Sequence, residues 1–137
     1  MVRVPSAGLL LIAGVLCGCG TQNNPCVEGM DFRVVPAAGT ASHLSAAPGN
    51  QVKFTATSQP YVISGSGCAL PQIVASVQAT WTTSDAKNVS ISSAAGATNG
   101  LATCLGATSG AVTITATNTL NMPKTTPTMA TATLTCQ

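Results

Sequence analysis

Residues 73–82 read Ile73-Val74-Ala75-Ser76-Val77-Gln78-Ala79-Thr80-Trp81-Thr82, and this stretch decides the fold class. Ile73, Ala75, Val77, Ala79 and Trp81 fall on one side of a two-residue period; Ser76, Gln78, Thr80 and Thr82 fall on the other. A period of two belongs to a strand with one buried and one wet face. The chain's only Trp closes the apolar side, where a large ring can anchor a core.

The same period recurs on both sides of this run. Phe32 and Val34 mark a first strand, and Val52, Phe54 and Ala56, alternating with Gln51, Lys53, Thr55 and Thr57, mark a second. After the third run come Val89 and Ile91, then Leu101 to Leu105, then Val112, Ile114 and Ala116, and last Ala130, Ala132 and Leu134, ending at Cys136. Clusters of Gly, Pro, Asn and Ser separate the runs, and no stretch sustains a helical period. Seven short strands in about 110 residues predict an all-β domain, an immunoglobulin-like sandwich of antiparallel strands in two sheets, with a small barrel as the competing architecture.

Composition agrees with one domain of this kind. The chain has 137 residues, and hydrophobic residues make up 45% of it, enough for an ordinary packed core. Only 6% of residues are charged, because Thr occupies many outward positions, where a β-branched side chain suits the pleat and its hydroxyl meets water. The formal net charge is +2, so no basic face exists to neutralise phosphates, and nucleic acid is not an expected partner.

The first residues, MVRVPSAGLLLIAGVLCGCG, carry a positive charge at Arg3, an apolar run from Ala7 to Leu16, and then small residues and cysteines. This is the anatomy of an export signal. The run spans about ten residues, roughly 15 Å as a helix, half of what a ~30 Å hydrocarbon core requires. Leu16-Cys17-Gly18-Cys19 resembles the bacterial lipobox, an aliphatic residue three before a cysteine with small residues between. The resemblance implies cleavage after Gly18 and diacylglyceryl attachment to Cys19, so that residues 1–18 are a signal peptide and 19–27 a lipidated cysteine with a short tether. Lipidation at Cys17 would place Gly14 at the aliphatic position and Leu16 beside the cleavage point, which fits the pattern poorly. By the sorting rule of such lipoproteins, Gly20 rather than an acidic residue implies delivery to the outer membrane in a Gram-negative source; ordinary secretion or a periplasmic location is the alternative. Between Cys19 and Cys26 lie GTQNNP, which extend to roughly 20 Å at most and hold the domain close to its membrane.

Within the predicted domain, residues 28–137, a second resemblance is carried by Ala79-Thr80-Trp81-Thr82-Thr83-Ser84-Asp85, then Val89-Ser90-Ile91, Gly100-Leu101-Ala102-Thr103, and Gly110-Ala111-Val112-Thr113-Ile114-Thr115-Ala116. In order, these match a Trp followed by Ser or Thr and an acidic residue, a Val-Ser pair, a Gly restarting a strand, and a Gly opening an Ile-Thr-Ala strand. The segment resembles a bacterial immunoglobulin-like domain of group 2. The match covers residues 79–117 and extends more loosely to Phe32 and Gln137. Two features depart from that pattern: a longer segment from Ser58 to Gln72, and the cysteines.

Loss of Cys17 and acylation of Cys19 leave Cys26, Cys68, Cys104 and Cys136, an even set suited to disulfides in an oxidising compartment. Four cysteines allow three pairings. The immunoglobulin-like strand order implies Cys26 with Cys68 at one end and Cys104 with Cys136 at the other. No CxxC occurs among the four, and the only histidine, His43, lies in a Ser/Ala/Pro/Gly-rich loop, so neither a metal nor a cofactor is expected.

Carboxylates are limited to Glu28, Asp31 and Asp85, and no nucleophile-elbow motif accompanies His43, so the chain reads as non-enzymatic with no catalytic residues. Asp85 is expected to cap the turn after Trp81, and Asn88 of the Asn88-Val89-Ser90 sequon to serve as a turn residue. Ser58 to Gln72, SQPYVISGSGCALPQ, is the candidate binding loop, with Tyr61, Val62, Ile63 and Leu70 as a recognition surface or as a lid on the core. Two functions follow as expectations: an envelope-anchored module binding a surface protein or glycan, or a purely structural envelope lipoprotein with no specific ligand.

Overall fold

Alternating side chains build strands across a computed structural model that describes residues 26–65, 73–121, 124 and 126–137. The expected signal peptide, lipidated Cys19, and Cys68 and Leu70 lie outside the described residues. The elements are β1 (Val27–Val35), β2 (Ala38–Ala41), β3 (Gln51–Lys53), β4 (Thr55–Ser64), β5 (Ala75–Val77), β6 (Ala79–Thr83), β7 (Val89–Ile91), β8 (Leu101–Cys104), β9 (Val112–Asn118) and β10 (Met129–Cys136). The protein is all-β, and no helix occurs among the described residues.

Three sheets form, in the orders β1-β4-β5, β2-β10-β9-β6 and β3-β8-β7. Pairing is antiparallel except between β2 and β10, which run parallel from Thr133 opposite Ala38 to Cys136 opposite Ala41. The sheets share one core, in which Phe54, Val89, Ile114 and Leu134 are fully buried beside Phe32, Val34 and Trp81. Burying each such large side chain contributes about 1.5–3 kcal/mol.

Among the described residues the count is ten strands in three sheets where seven in two were expected, because runs divide between sheets. Val52, Phe54 and Ala56 form one alternating run, yet β3 pairs with β8 while β4 pairs with β1. At the break, the Phe54 amide donates to the Gly100 carbonyl at 2.9 Å. The run from Ala75 divides likewise at Gln78, into β5 against β4 and β6 against β9. A first strand through Val34 passes over the cis Val35-Pro36 bond into β2, which had no counterpart in the expected set. Each strand of the β1-β4-β5 sheet therefore continues along the chain into one of the other two sheets.

Two corrections follow from this division. Of the third run, only Ala79 and Trp81 are buried; Val77 packs against the core from its margin, whereas Ile73, which precedes β5, is 65% exposed. The segment after Ser58 is not wholly a loop. β1 reaches back to Val27 and pairs with β4 as far as Ser64, so Ser58 to Ser64 are strand, ended by Gly65 at a φ of 120°.

A disulfide joins Cys104 on β8 to Cys136 on β10, with both residues buried and their Cα atoms 5.7 Å apart. It crosses the core between two sheets, as expected for this pair, and spans a sequence separation of 32. The chain-entropy model gives about 3–4 kcal/mol for such a closure. Cys26 is also disulfide-bonded.

Candidate functional site

Of the expected recognition residues, Tyr61, Val62 and Ile63 lie on a two-stranded ribbon, and Leu70 lies outside the described residues. β5 covers β4 only at Ala56 to Ser58, so among the described residues the strand from Gln59 to Ser64 pairs only with β1. Tyr61, Val62 and Ile63 are 43, 40 and 44% exposed, and Val27, unmarked in the sequence reading, lies on the facing strand and is similarly open. Adjacent strand residues point to opposite faces, so Tyr61 and Val62 give the ribbon apolar surface on both sides. The structure thus brings Tyr61, Val62 and Ile63 together with Val27, in a paired strand rather than a free loop.

Gly29 sits directly opposite Tyr61, and the ring lies across it: a Cβ on Gly29 would fall 2.5 Å from the Tyr61 Cζ. A side chain there would displace the ring. Pro60 pairs with Met30, and lacking an N–H it can do so only with its nitrogen turned away from β1. The outer edge of β4 therefore lacks a donor at this position. The strand was foreshadowed by Tyr61-Val62-Ile63, residue types that favour pleated surfaces; the Gly29–Tyr61 contact emerges only once the register is known.

A second polar arrangement surrounds Trp81. Asn99 is buried and its side chain makes four hydrogen bonds: Oδ1 accepts from Trp81 Nε1 at 2.8 Å and the Ala79 amide at 3.2 Å, and Nδ2 donates to the Ala79 carbonyl at 2.9 Å and the Ser93 carbonyl at 3.2 Å. Ser93 Oγ accepts from the Trp81 amide at 2.7 Å and donates to the Trp81 carbonyl at 3.3 Å. Lys53 Nζ donates to the carbonyls of Ala97 and Asn99, tying down the same loop. Gly100, at a φ of +78°, permits the turn, because a Cβ there would meet the Phe54 carbonyl oxygen. Nothing in the alternation marked Asn99, whose partners Ala79 and Trp81 lie 20 and 18 residues away.

A depression of ≈ 230 Å³ beside this loop is lined by Lys53, Ser76, Gln78 and Asn99, and a broader one of ≈ 420 Å³ lies against Trp81, Val89 and Ile91. The lysine of the first is already bonded to two carbonyls. Both are open and shallow.

Asp85, Asn88, His43 and Asp31 each have a partner within the fold. Asp85 caps its turn as expected: Oδ1 accepts from the amides of Lys87 and Asn88 at 3.2 Å each, and Oδ2 from Asn88 Nδ2 at 2.8 Å. The Asn88 side-chain hydrogen bond, helped by the two amides and the Lys87 charge and opposed by desolvation, holds the Asp85 carboxyl below its ordinary value. Asn88 also accepts through its carbonyl from the amides of Leu105 and Gly106, so it serves as the turn residue expected. His43, half-buried in the loop after β2, places Nδ1 2.6 Å from the Gln137 main-chain oxygen, a bond that requires a proton on Nδ1. Asp31 pairs with Arg33 two residues along the same strand. No group of three His, Cys, Asp or Glu able to hold a metal occurs among the described residues.

Comparison with known proteins returns neither a matching family model nor a matching curated protein.

Proposed function

We propose that the protein is a non-enzymatic cell-envelope lipoprotein, held in the membrane by acylated Cys19 and carrying one immunoglobulin-like domain of the bacterial group 2 type as a binding or adhesion-type module. The observation that carries this reading is the cysteine chemistry. A buried disulfide between Cys104 and Cys136, with Cys26 disulfide-bonded as well, suits an oxidising compartment outside the cytoplasm. The lipobox-like Leu16 to Cys19 then supplies the anchor. The four-stranded sheet, its Trp81-centred core and its cross-sheet disulfide support an immunoglobulin-like arrangement, with the β1-β4-β5 sheet as a flared extension. Partners of the module would be an envelope or surface protein, or a glycan, met at the threonine-bearing outer face of β9 and β10.

Intact-mass and peptide mapping of unreduced protein extracted from its native membrane tests the reading. An acyl-modified Cys19 at the N-terminus is the expected result; an unmodified N-terminus overturns the anchor. A purely structural lipoprotein is the second reading, favoured by the placement of Tyr61 to Ile63 in a paired strand. Photo-crosslinkers at Thr115 and Thr133 in whole cells separate the two: one dominant partner supports the binding module, and its absence supports the structural role.

A further inference from the structure

The end of the β1–β4 ribbon carries exposed apolar side chains on both faces, Val62 beside its register partner Glu28 on one and Tyr61 and Ile63 on the other, and it is the end at which the N-terminal segment joins the domain. Val27 begins β1 eight residues after Cys19, a length of chain that spans at most roughly 28 Å. A membrane anchor in that segment holds the exposed Val27, Tyr61, Val62 and Ile63 within reach of the bilayer surface. We propose that this ribbon end docks into the phospholipid headgroup layer of the membrane that holds the anchor; the proposal rests on the anchor reading above.

Three observations favour lipid over a protein occupant. A protein surface would cover one face of the ribbon, whereas an interfacial layer surrounds both Tyr61 and the oppositely directed Val62. Strand addition by a partner or a second copy is hindered along β4, because Pro60 removes a donor from its outer edge. A tyrosine flanked by aliphatic residues also suits the boundary layer, with an apolar body and a polar tip. Depth is limited to the headgroups, since an open strand edge in hydrocarbon would leave backbone groups unsatisfied.

The charges on the ribbon set the lipid preference. Glu28 is exposed near its end, and Arg33, the one cation on β1 and β4, is paired with Asp31. Docking is therefore apolar in origin, and anionic lipid should not strengthen it.

The test uses the full chain extracted from its native membrane and reconstituted in phosphatidylcholine vesicles that contain a lipid with a headgroup nitroxide. Tyr61→Trp is compared with Leu44→Trp, whose position is 84% exposed in the loop beyond β2, away from the ribbon end. The added fluorescence of Tyr61→Trp should be lost to the quencher and that of Leu44→Trp retained. Equal quenching of the two on protein whose mass shows acylated Cys19 overturns the docking and leaves the anchor standing. A mass without acyl chain overturns the anchor reading itself. A second measurement keeps the wild-type residue: Tyr61 is the only tyrosine, so enzymatic iodination in vesicles reports it directly. Protection in the wild type that is lost in Val62→Asp/Ile63→Asp supports docking, and equal labelling overturns it.

Discussion

Among the described residues, the outer edge of β6 and the outer edge of β4 beyond Ser58 are both strand margins without a neighbouring strand, and they are finished in opposite ways. Along β6, side chains stand in for the missing strand: Asn99 takes the Ala79 amide and carbonyl, and Ser93 takes those of Trp81. Along β4 beyond Ser58 no β5 residue continues the pairing, and Pro60 interrupts the donors. The first edge is sealed over the core, where an unpaired backbone group costs about 1–3 kcal/mol. The second reaches away from the core, where water satisfies what the sheet does not. Both devices discourage pairing with another chain, but only the first is tied to stability.

Substitutions can break or sharpen this contrast. The largest effect should come from the core disulfide: Cys104→Ala/Cys136→Ala should lower unfolding free energy by about 3–4 kcal/mol, read as a shift in denaturant midpoint. Asn99→Ala should cost about 2–3 kcal/mol, because it strips partners from Trp81 Nε1 and both backbone groups of Ala79. Ser93→Ala should cost about 1 kcal/mol by the same measurement. Ribbon changes such as Val62→Thr or Ile63→Thr should stay within about 0.5 kcal/mol. A ribbon substitution more costly than Asn99→Ala would break the comparison and make the ribbon part of the stabilising core.

The smallest effect lies on neither edge. Asp85 has its carboxyl held below the ordinary value, so its cap contributes stability above the ordinary carboxylate range and loses it as pH falls through the lowered value. Wild type should therefore exceed Asp85→Ala in stability at neutral pH, and the difference should shrink on acidification. A gap independent of pH would remove the charged form of Asp85 from the explanation.

Much of the contrast was hidden at the level of sequence, for physical reasons. Alternation records which side of a strand is buried, so Val112, Ile114 and Ala116 of β9 and Ala132 and Leu134 of β10 were legible and lie in the core, with Ala130 partly buried against it. Alternation does not record which strand lies alongside. The bend at Phe54 keeps the period while changing the partner, and one expected strand became two. The ribbon was half legible: Tyr61, Val62 and Ile63 stood out as surface residues, but a nearby Gly-Ser-Gly favoured a loop over the strand they form. Asn99 was illegible, since a buried amide looks like any turn asparagine until the strand it faces is known.

The parallel pairing of β2 with β10 has a mechanical consequence. Tension between the N-terminal side and the far end of β10 pulls β2 backward and β10 forward, along their common axis. The register from Thr133 opposite Ala38 to Cys136 opposite Ala41 is then loaded in shear, with all four positions resisting together rather than opening one after another. The Cys104–Cys136 bond fastens the last of them to β8. Load that reaches β2 along β1 would meet this patch in shear, after the β1–β4 register that precedes it along the chain.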